Sequence, residues 1–242
     1  MQHLAFMNSN RPFLILGVSL VLGFAVFGIF LGRAVRQGRS FDRYLSVRGL
    51  AEHEVAANLA IWPVSFVTDA DDLATLKQQL DAKRAKVAEF LKAQGIDEAE
   101  IATGLPSLED REQEKMKEHM GGLARYSARV TLVVRSVKVD VVKKTIQAAD
   151  QLLSVGVALS GHEGSENTEF LFTDLNAIKP DMIGEATANA RAAAVKFAQD
   201  SNSRVGAIRQ ASQGVFEIET RDVASPERKI VRVVTSVQFF LE

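Results

Sequence analysis

VRGLAEHEVAANLAIWPVSF, residues 47–66, sets two apolar runs on either side of a polar triplet, and how it folds decides what the rest of the chain can build. From Tyr44 to Leu50 and again from Val55 to Thr68, apolar residues alternate at the two-residue period of a strand. Joined at the Ala-Glu-His-Glu stretch, the two runs read as a hairpin. In the second run Val55, Ala57, Leu59 and Ile61 fall on one face and Ala60, Trp62, Val64 and Phe66 on the other, so both faces are expected to be covered. Pro63 has no N–H for a ladder, which predicts an edge position or a bulge there.

Working outward toward the amino terminus, Pro12 to Gly32 is 21 residues without a charge. As a helix it spans about 31 Å, the thickness of a bilayer core. A buried core helix and a cleaved signal peptide are the competing accounts. No small-x-small cleavage site follows the run; Arg33, Ala34, Val35 and Arg36 follow it instead. The expected layout is therefore a tail over 1–11, an uncleaved transmembrane anchor over 12–32 that places the chain in a lipid bilayer, a basic linker over 33–43 and a folded domain over 44–242. Gly17, Gly23, Gly28 and Gly32 are candidate close-packing points between helices. Arg33, Arg36, Arg39 and Arg43 follow the span, against Arg11 and the amino terminus before it, which by the positive-inside rule alone puts the domain in the cytoplasm.

Toward the carboxyl terminus the period changes. Residues 70–94 predict an amphipathic helix capped by Asp71 or Asp72, striped by Leu73, Leu76, Leu80, Val87, Phe90 and Leu91 and ended by Gly95. A short strand is expected within Ile96–Leu108, a charged connection over Glu109–Gly122 and a strand over 126–139. A helix face follows with Val142, Ile146, Ala149 and Leu153, then strands over Val155–Ser160 and Glu169–Leu175. A third helix from about Pro180 to Asp200 should bury Ile183, Ala186, Ala190, Ala193, Ala194 and Phe197. Strands over 203–211, 214–220 and 229–241 close the chain. The pattern predicts an α+β fold with mixed or antiparallel sheets and about three amphipathic helices packed on them. It is read as one elongated domain, with two lobes divided near 109–122 as the alternative.

Composition narrows the chemistry. With no cysteine the chain forms neither a disulfide nor a thiolate metal site. Residues 1–43 carry five arginines against one aspartate; beyond them 24 Lys and Arg are interleaved with 29 Asp and Glu, so nucleic acid is not an expected partner. The histidines, His3, His53, His119 and His162, show no ligand spacing. Glu52, His53 and Glu54 invite a metal or acid–base reading against that of a solvated bend. SGHEGSEN, residues 160–167, offers His162, Glu163 and Glu166 as an imagined site and, against it, a glycine-bearing turn; Ser160 and Ser165 have no identifiable base. Nucleophile elbows and nucleotide cradles lack their glycine motifs, and Trp62 reads as a buried sheet residue rather than a ligand platform. No catalytic, cofactor-binding or metal-ligating residue is assigned.

The opening stretch resembles the opening hairpin of the SIMPL-domain (DUF541) family: Val47, Gly49, Glu52, Val55 and Ala60 fit its pattern, while Ala57-Asn58 stands where Pro-Asp is common. The helix that follows, the ALSGHEGSEN junction, ANARAAAVKFAQ and the apolar last strand follow in the family's order over roughly 44–241. The resemblance implies a non-enzymatic bacterial envelope protein without cofactors, of the inner membrane with its domain on the periplasmic side. It also implies self-assembly into homo-oligomers and a link to oxidative or envelope stress defence. A carboxylate- and histidine-dependent anchored hydrolase, and an adaptor docking an envelope partner through 109–122, are the alternatives.

Overall fold

A computed structural model describes residues 11–40, 43–112, 124–160 and 168–242. Helix α1 (Arg11–Ser40) contains one stretch, Ile15–Arg33, long and apolar enough to cross a membrane, and every side chain along it is exposed. The hydroxyl of Ser19 donates to the Leu16 carbonyl at 3.0 Å, so its polar group is satisfied within the helix.

Strands β1 (Tyr44–Ala56) and β2 (Leu59–Ala70) follow, but they do not form a hairpin. β1 joins a four-stranded sheet of order β1-β9-β7, with β8 on β9; β2 joins a five-stranded sheet of order β3-β5-β2-β6, with β4 on β5. The remaining strands are β3 (Ile101–Thr103), β4 (Ser107–Asp110), β5 (Tyr126–Ser136), β6 (Glu169–Leu171), β7 (Val205–Gln213), β8 (Glu217–Thr220) and β9 (Arg228–Leu241). The polar triplet is strand, not bend, and the passage between sheets falls at Ala57-Asn58. There the Ala57 N–H donates to the Glu227 carbonyl at 2.8 Å, and the Asn58 side-chain oxygen accepts from the Thr173 N–H at 2.9 Å and from its hydroxyl at 3.1 Å. Asn58 supplies the side-chain-to-backbone bonding that such a corner requires.

The chain divides into two compact units, with boundaries inside β1, in the long helix α5 (Leu175–Asp200), between β7 and β8 and in β9; both flanks of 109–122 lie in the same unit. The larger unit takes in Glu52–Met182 and Phe216–Arg232. Its axis is β2 on β5, paired without a register break from Ala60↔Ser136 to Ala70↔Tyr126. Trp62, Val64 and Phe66 from β2 and Val130, Leu132 and Val134 from β5 are buried as alternation predicts. They pack with Leu76, Leu80, Val87 and Leu91 of helix α2 (Leu73–Ala93). The cap is Asp72, whose Oδ1 accepts from the Thr75 N–H at 2.9 Å, and Gly95 ends the helix at φ +93. Pro63 lies beyond the reach of β6, which pairs only with Leu59–Ile61, so its missing N–H breaks no ladder on that side. The opposite face of β2 is only half-covered at Ile61, Pro63 and Val67.

Several boundaries differ from the sequence reading. The strand expected within Ile96–Leu108 is two, β3 and β4, both on β5. Helix α3 (Val139–Gln147) stops before α4 (Gln151–Ser154), and the break turns Leu152 inward and leaves Leu153 63% exposed. Val155–Ser160 makes a single bridge, Phe66↔Leu159, instead of a strand. α5 starts five residues before Pro180, and its buried row is Met182, Ala186, Ala190, Ala194 and Ala198; Phe197 is 60% exposed.

The smaller unit takes in Met1–Ala51, Ile183–Val215 and Val233–Glu242. Its core is Val47, Ala190, Ala194, Val237 and Phe239. A Cβ placed on Gly49 would lie 1.8 Å from the Ala186 carbonyl oxygen and 2.5 Å from the Ala190 nitrogen. The α5 backbone therefore rests directly on the β1 backbone, an approach that glycine alone permits. The Asn189 amide fastens it, donating to the Leu50 carbonyl at 2.8 Å. Gly49→Ala should lower unfolding stability by at least about 2 kcal/mol, because it is the helix or strand backbone that must move. Gly184→Ala, whose Cβ meets nothing within 4 Å, should instead be neutral or more stable by about 0.5–1 kcal/mol. Urea unfolding of both variants in detergent checks the pair, and equal midpoints would contradict the close approach.

Candidate functional site

Alternation along β1 separates the triplet that looked most like a site. Glu52 and Glu54 are exposed on one face, while His53 lies half-buried in the inward row that contains Val47, Gly49 and Ala51. Side chains on opposite faces of a strand cannot converge on one metal or one reacting atom. The Glu54 carboxylate instead accepts from an Arg221 guanidinium nitrogen at 2.7 Å. Arg221 also donates to Asp222 at 2.7 Å and to the Ser225 hydroxyl at 3.0 Å, and the Ser225 N–H donates to Asp222 at 2.7 Å. Glu54 thus pins the turn between β8 and β9, a long-range partnership that local sequence does not announce.

The second concentration of charge stands where β4 and β5 leave the sheet. Arg125 grips Asp110 with two nitrogens, at 3.2 and 3.0 Å, and reaches Glu112 at 2.7 Å; its own N–H donates to Asp71 at 3.1 Å. The guanidinium carbon lies 4.8 Å from the Tyr126 ring centroid. Arg111 donates to Glu109 at 3.0 Å and lies 3.5 Å from Asp69. Two forked cations therefore tie four carboxylates across the ribbon, and the Arg125 backbone N–H holds a fifth, Asp71. Beside them Val67, Ser107, Leu108, Glu109, Arg111, Ser127 and Arg129 line a polar groove of about 430 Å³. This is the start of the charged 109–122 connection; residues 113–123, with His119, lie outside the described residues.

A third pair joins Lys143 to Glu227, and the second Glu227 oxygen is buried with no hydrogen-bond partner among the described residues. Trp62 is buried at 6% exposure in the larger core, as expected of a sheet residue. Ser160 donates its N–H to the Ser65 carbonyl, and its own hydroxyl oxygen is buried without a partner among the described residues. His162, Glu163, Ser165 and Glu166, like His3, lie outside the described residues. Among the described residues no three His, Cys, Asp or Glu side chains are grouped so as to hold a metal ion.

The electrostatics show what these clusters can do. Hydrogen bonds from Arg125 hold Asp110 below the ordinary carboxylate range, and those from Arg221 do the same for Asp222; Lys143 lowers Glu227. Asp110 raises Arg125 in return, and Asp222 followed by Glu54 raises Arg221. Carboxylates held ionised in this way serve as fixed charges and make poor proton donors near neutrality. The arrangement suits docking and fastening.

The family model described as "SIMPL: Protein of unknown function (DUF541)" matches residues 45–238. No curated protein matches the chain.

Because Arg125 and Arg221 hold Asp110 and Asp222 below their ordinary values in the folded protein, the small stabilisation from these exposed pairs is present above the ordinary value and is lost as the pH falls through the lowered ones. Their share of the unfolding midpoint should be small, constant from mildly alkaline to mildly acidic conditions and lost only in stronger acid. Arg221→Gln should hasten amide exchange at Ser225 while barely moving the melting temperature, since the pair it removes is exposed. Exchange mass spectrometry and calorimetry read the two; a collapse of the whole fold would show that the turn is more than a local clasp.

Proposed function

We propose, from the premise that this chain belongs to the SIMPL family, that it is a membrane-anchored envelope protein whose domain works by self-association and without catalysis. The single observation that carries the anchor is Ile15–Arg33, a span of bilayer length with no part of it buried. Anchoring confines copies to two dimensions and raises their local concentration, so a weak contact suffices for assembly.

The exposed outer strand β7 supports association. It pairs with β9, and its residues from Ala207 to Gln213 are all exposed, with Arg209 their one charge. Register irregularities fall between Val205 and Gln210; Gln210–Gln213 is regular and lacks the lysine or proline that normally guards an edge. The aromatics of the last strand add little to such a contact, because Phe239 is fully buried and Phe240 half-buried. The hydrolase reading gains nothing from Glu52, His53 and Glu54, which face opposite ways.

Family membership favours the periplasmic side of a bacterial inner membrane, and a role in oxidative or envelope stress defence goes with that placement. The arginine-rich flank favours the cytoplasm. A carboxyl-terminal alkaline phosphatase fusion should be active, and an inactive one beside a bright fluorescent-protein fusion would reverse the orientation. Full-length protein in detergent should scatter light as a multimer over a range of concentrations, and Ser212→Lys should shift it toward smaller species. A strict monomer throughout would refute self-association.

A further inference from the structure

We infer that the smaller unit carries an electropositive surface which docks on anionic phospholipid headgroups, so that the domain lies down on the bilayer that holds its anchor. The inference rests on the anchored reading and goes beyond it.

The two units differ in charge. The smaller, which includes the apolar helix, holds ten Lys and Arg against four Asp and Glu, nine against four once Arg11 beyond the span is set aside; the larger holds nineteen against twenty-six. A unit of net positive charge attached to the anchor is drawn toward anionic lipid, and the electrostatic pull acts only within about a Debye length of the surface.

The tether lets it reach that range. α1 remains helical from Arg33 to Ser40, and four further residues bring the chain to Tyr44. Those steps add to no more than about 25 Å even when the last four are fully extended. The start of β1 is therefore confined to the neighbourhood of the membrane.

At that end of the sheet the fold brings Arg43, at the start of β1, beside Arg204 and Arg209 of the β7 segment. Arg43 donates to the Ser203 hydroxyl at 3.2 Å, and its carbonyl accepts from the Leu241 N–H at 3.0 Å. Arg204 exchanges backbone bonds with Glu242, at 2.8 and 2.9 Å. Arg209 lies 4.2 Å from the ring centroid of Tyr44 and donates to Gln238 at 3.4 Å. All three arginines are exposed. Tyr44, 45% exposed under the Arg209 guanidinium, is the amphipathic aromatic that favours the headgroup layer. Asp42, next to Arg43 in the sequence, Asp200 and Glu242 are the acidic residues at this end, and the sequence sets Arg33, Arg36 and Arg39 between the span and the strand, which leaves six arginines against three carboxylates. Guanidinium forks pair with phosphate, which makes phosphodiester headgroups the fitting partner.

The chain has no cysteine, so Ala207→Cys on the exposed β7 gives a unique labelling site for a fluorophore. Full-length protein is placed in nanodiscs of phosphatidylcholine, or of phosphatidylcholine mixed with phosphatidylglycerol, each doped with a headgroup-bound quencher. Quenching should be at least about fivefold greater in the anionic discs, the ratio that one arginine near a charged surface supplies. It should vanish in high salt and in the Arg43→Gln, Arg204→Gln, Arg209→Gln variant. Slow amide exchange at Phe239, in the smaller core, reports whether that unit of the variant is folded; where it is not, the salt and lipid arms decide. Equal quenching in both discs, or quenching kept by the folded variant, overturns the inference and leaves the anchor intact. Dependence on protein concentration in place of lipid charge assigns the surface to a second copy, and overturns it too. Failure to enter discs at all removes the anchor and the inference together.

Discussion

The smaller unit depends on one contact between two backbones. Gly49 lacks the single carbon that would hold α5 away from β1, and Ala186 and Ala190 present a helix surface low enough to fill the space. A close approach of this kind brings little large-side-chain burial per residue, so it works only where both backbones are otherwise satisfied. They are: β1 belongs to a sheet, and the helix keeps its own ladder. Val47, Val237 and Phe239 then close around Ala190 and Ala194. The larger unit follows a different plan, with bulky Leu, Val, Phe and Trp side chains from α2 and the β2–β5 pair filling its core.

Above these cores the charged groups are fastened to one another. Arg125 and Arg221 each hold more than one carboxylate, and the shifts at Asp110 and Asp222 follow from those bonds. A surface of fixed, opposed charges recognises other charges and surfaces; it does not shuttle protons. These clusters fasten the larger unit, while the readings of anchoring, association and headgroup contact rest on α1, β7 and the arginines at the start of β1.

Much of the fold was legible, and the misreadings have local causes. α2 was plain because a leucine row at helical spacing, an Asp72 cap and Gly95 all agree. β2 and β5 were plain because each alternates strictly. The partner of β1 was not legible: alternation shows that a segment is extended, whereas the choice between β2 and β9 is made by residues nearly two hundred positions away. The signal that was present is the alternation of Val47, Gly49, Ala51, His53 and Val55, which runs straight through the supposed bend. α5 was found, yet its rotation was misjudged. Alanines on several of its faces leave the buried row undetermined until Gly49 selects Ala186 and Ala190. Of the candidate residues, Trp62 fell where its chemistry suggested. The ties from Glu54 to Arg221 and from Lys143 to Glu227 join distant segments, and such pairings leave no local mark.

The backbone contact is open to direct observation. In full-length protein held in detergent micelles, with glycine and alanine protonated in a deuterated background, the Gly49 α-protons should show a strong nuclear Overhauser effect to the Ala190 amide proton. Its absence, with both resonances assigned and sharp, would mean that α5 does not rest on β1 and that the smaller unit is built on some other contact.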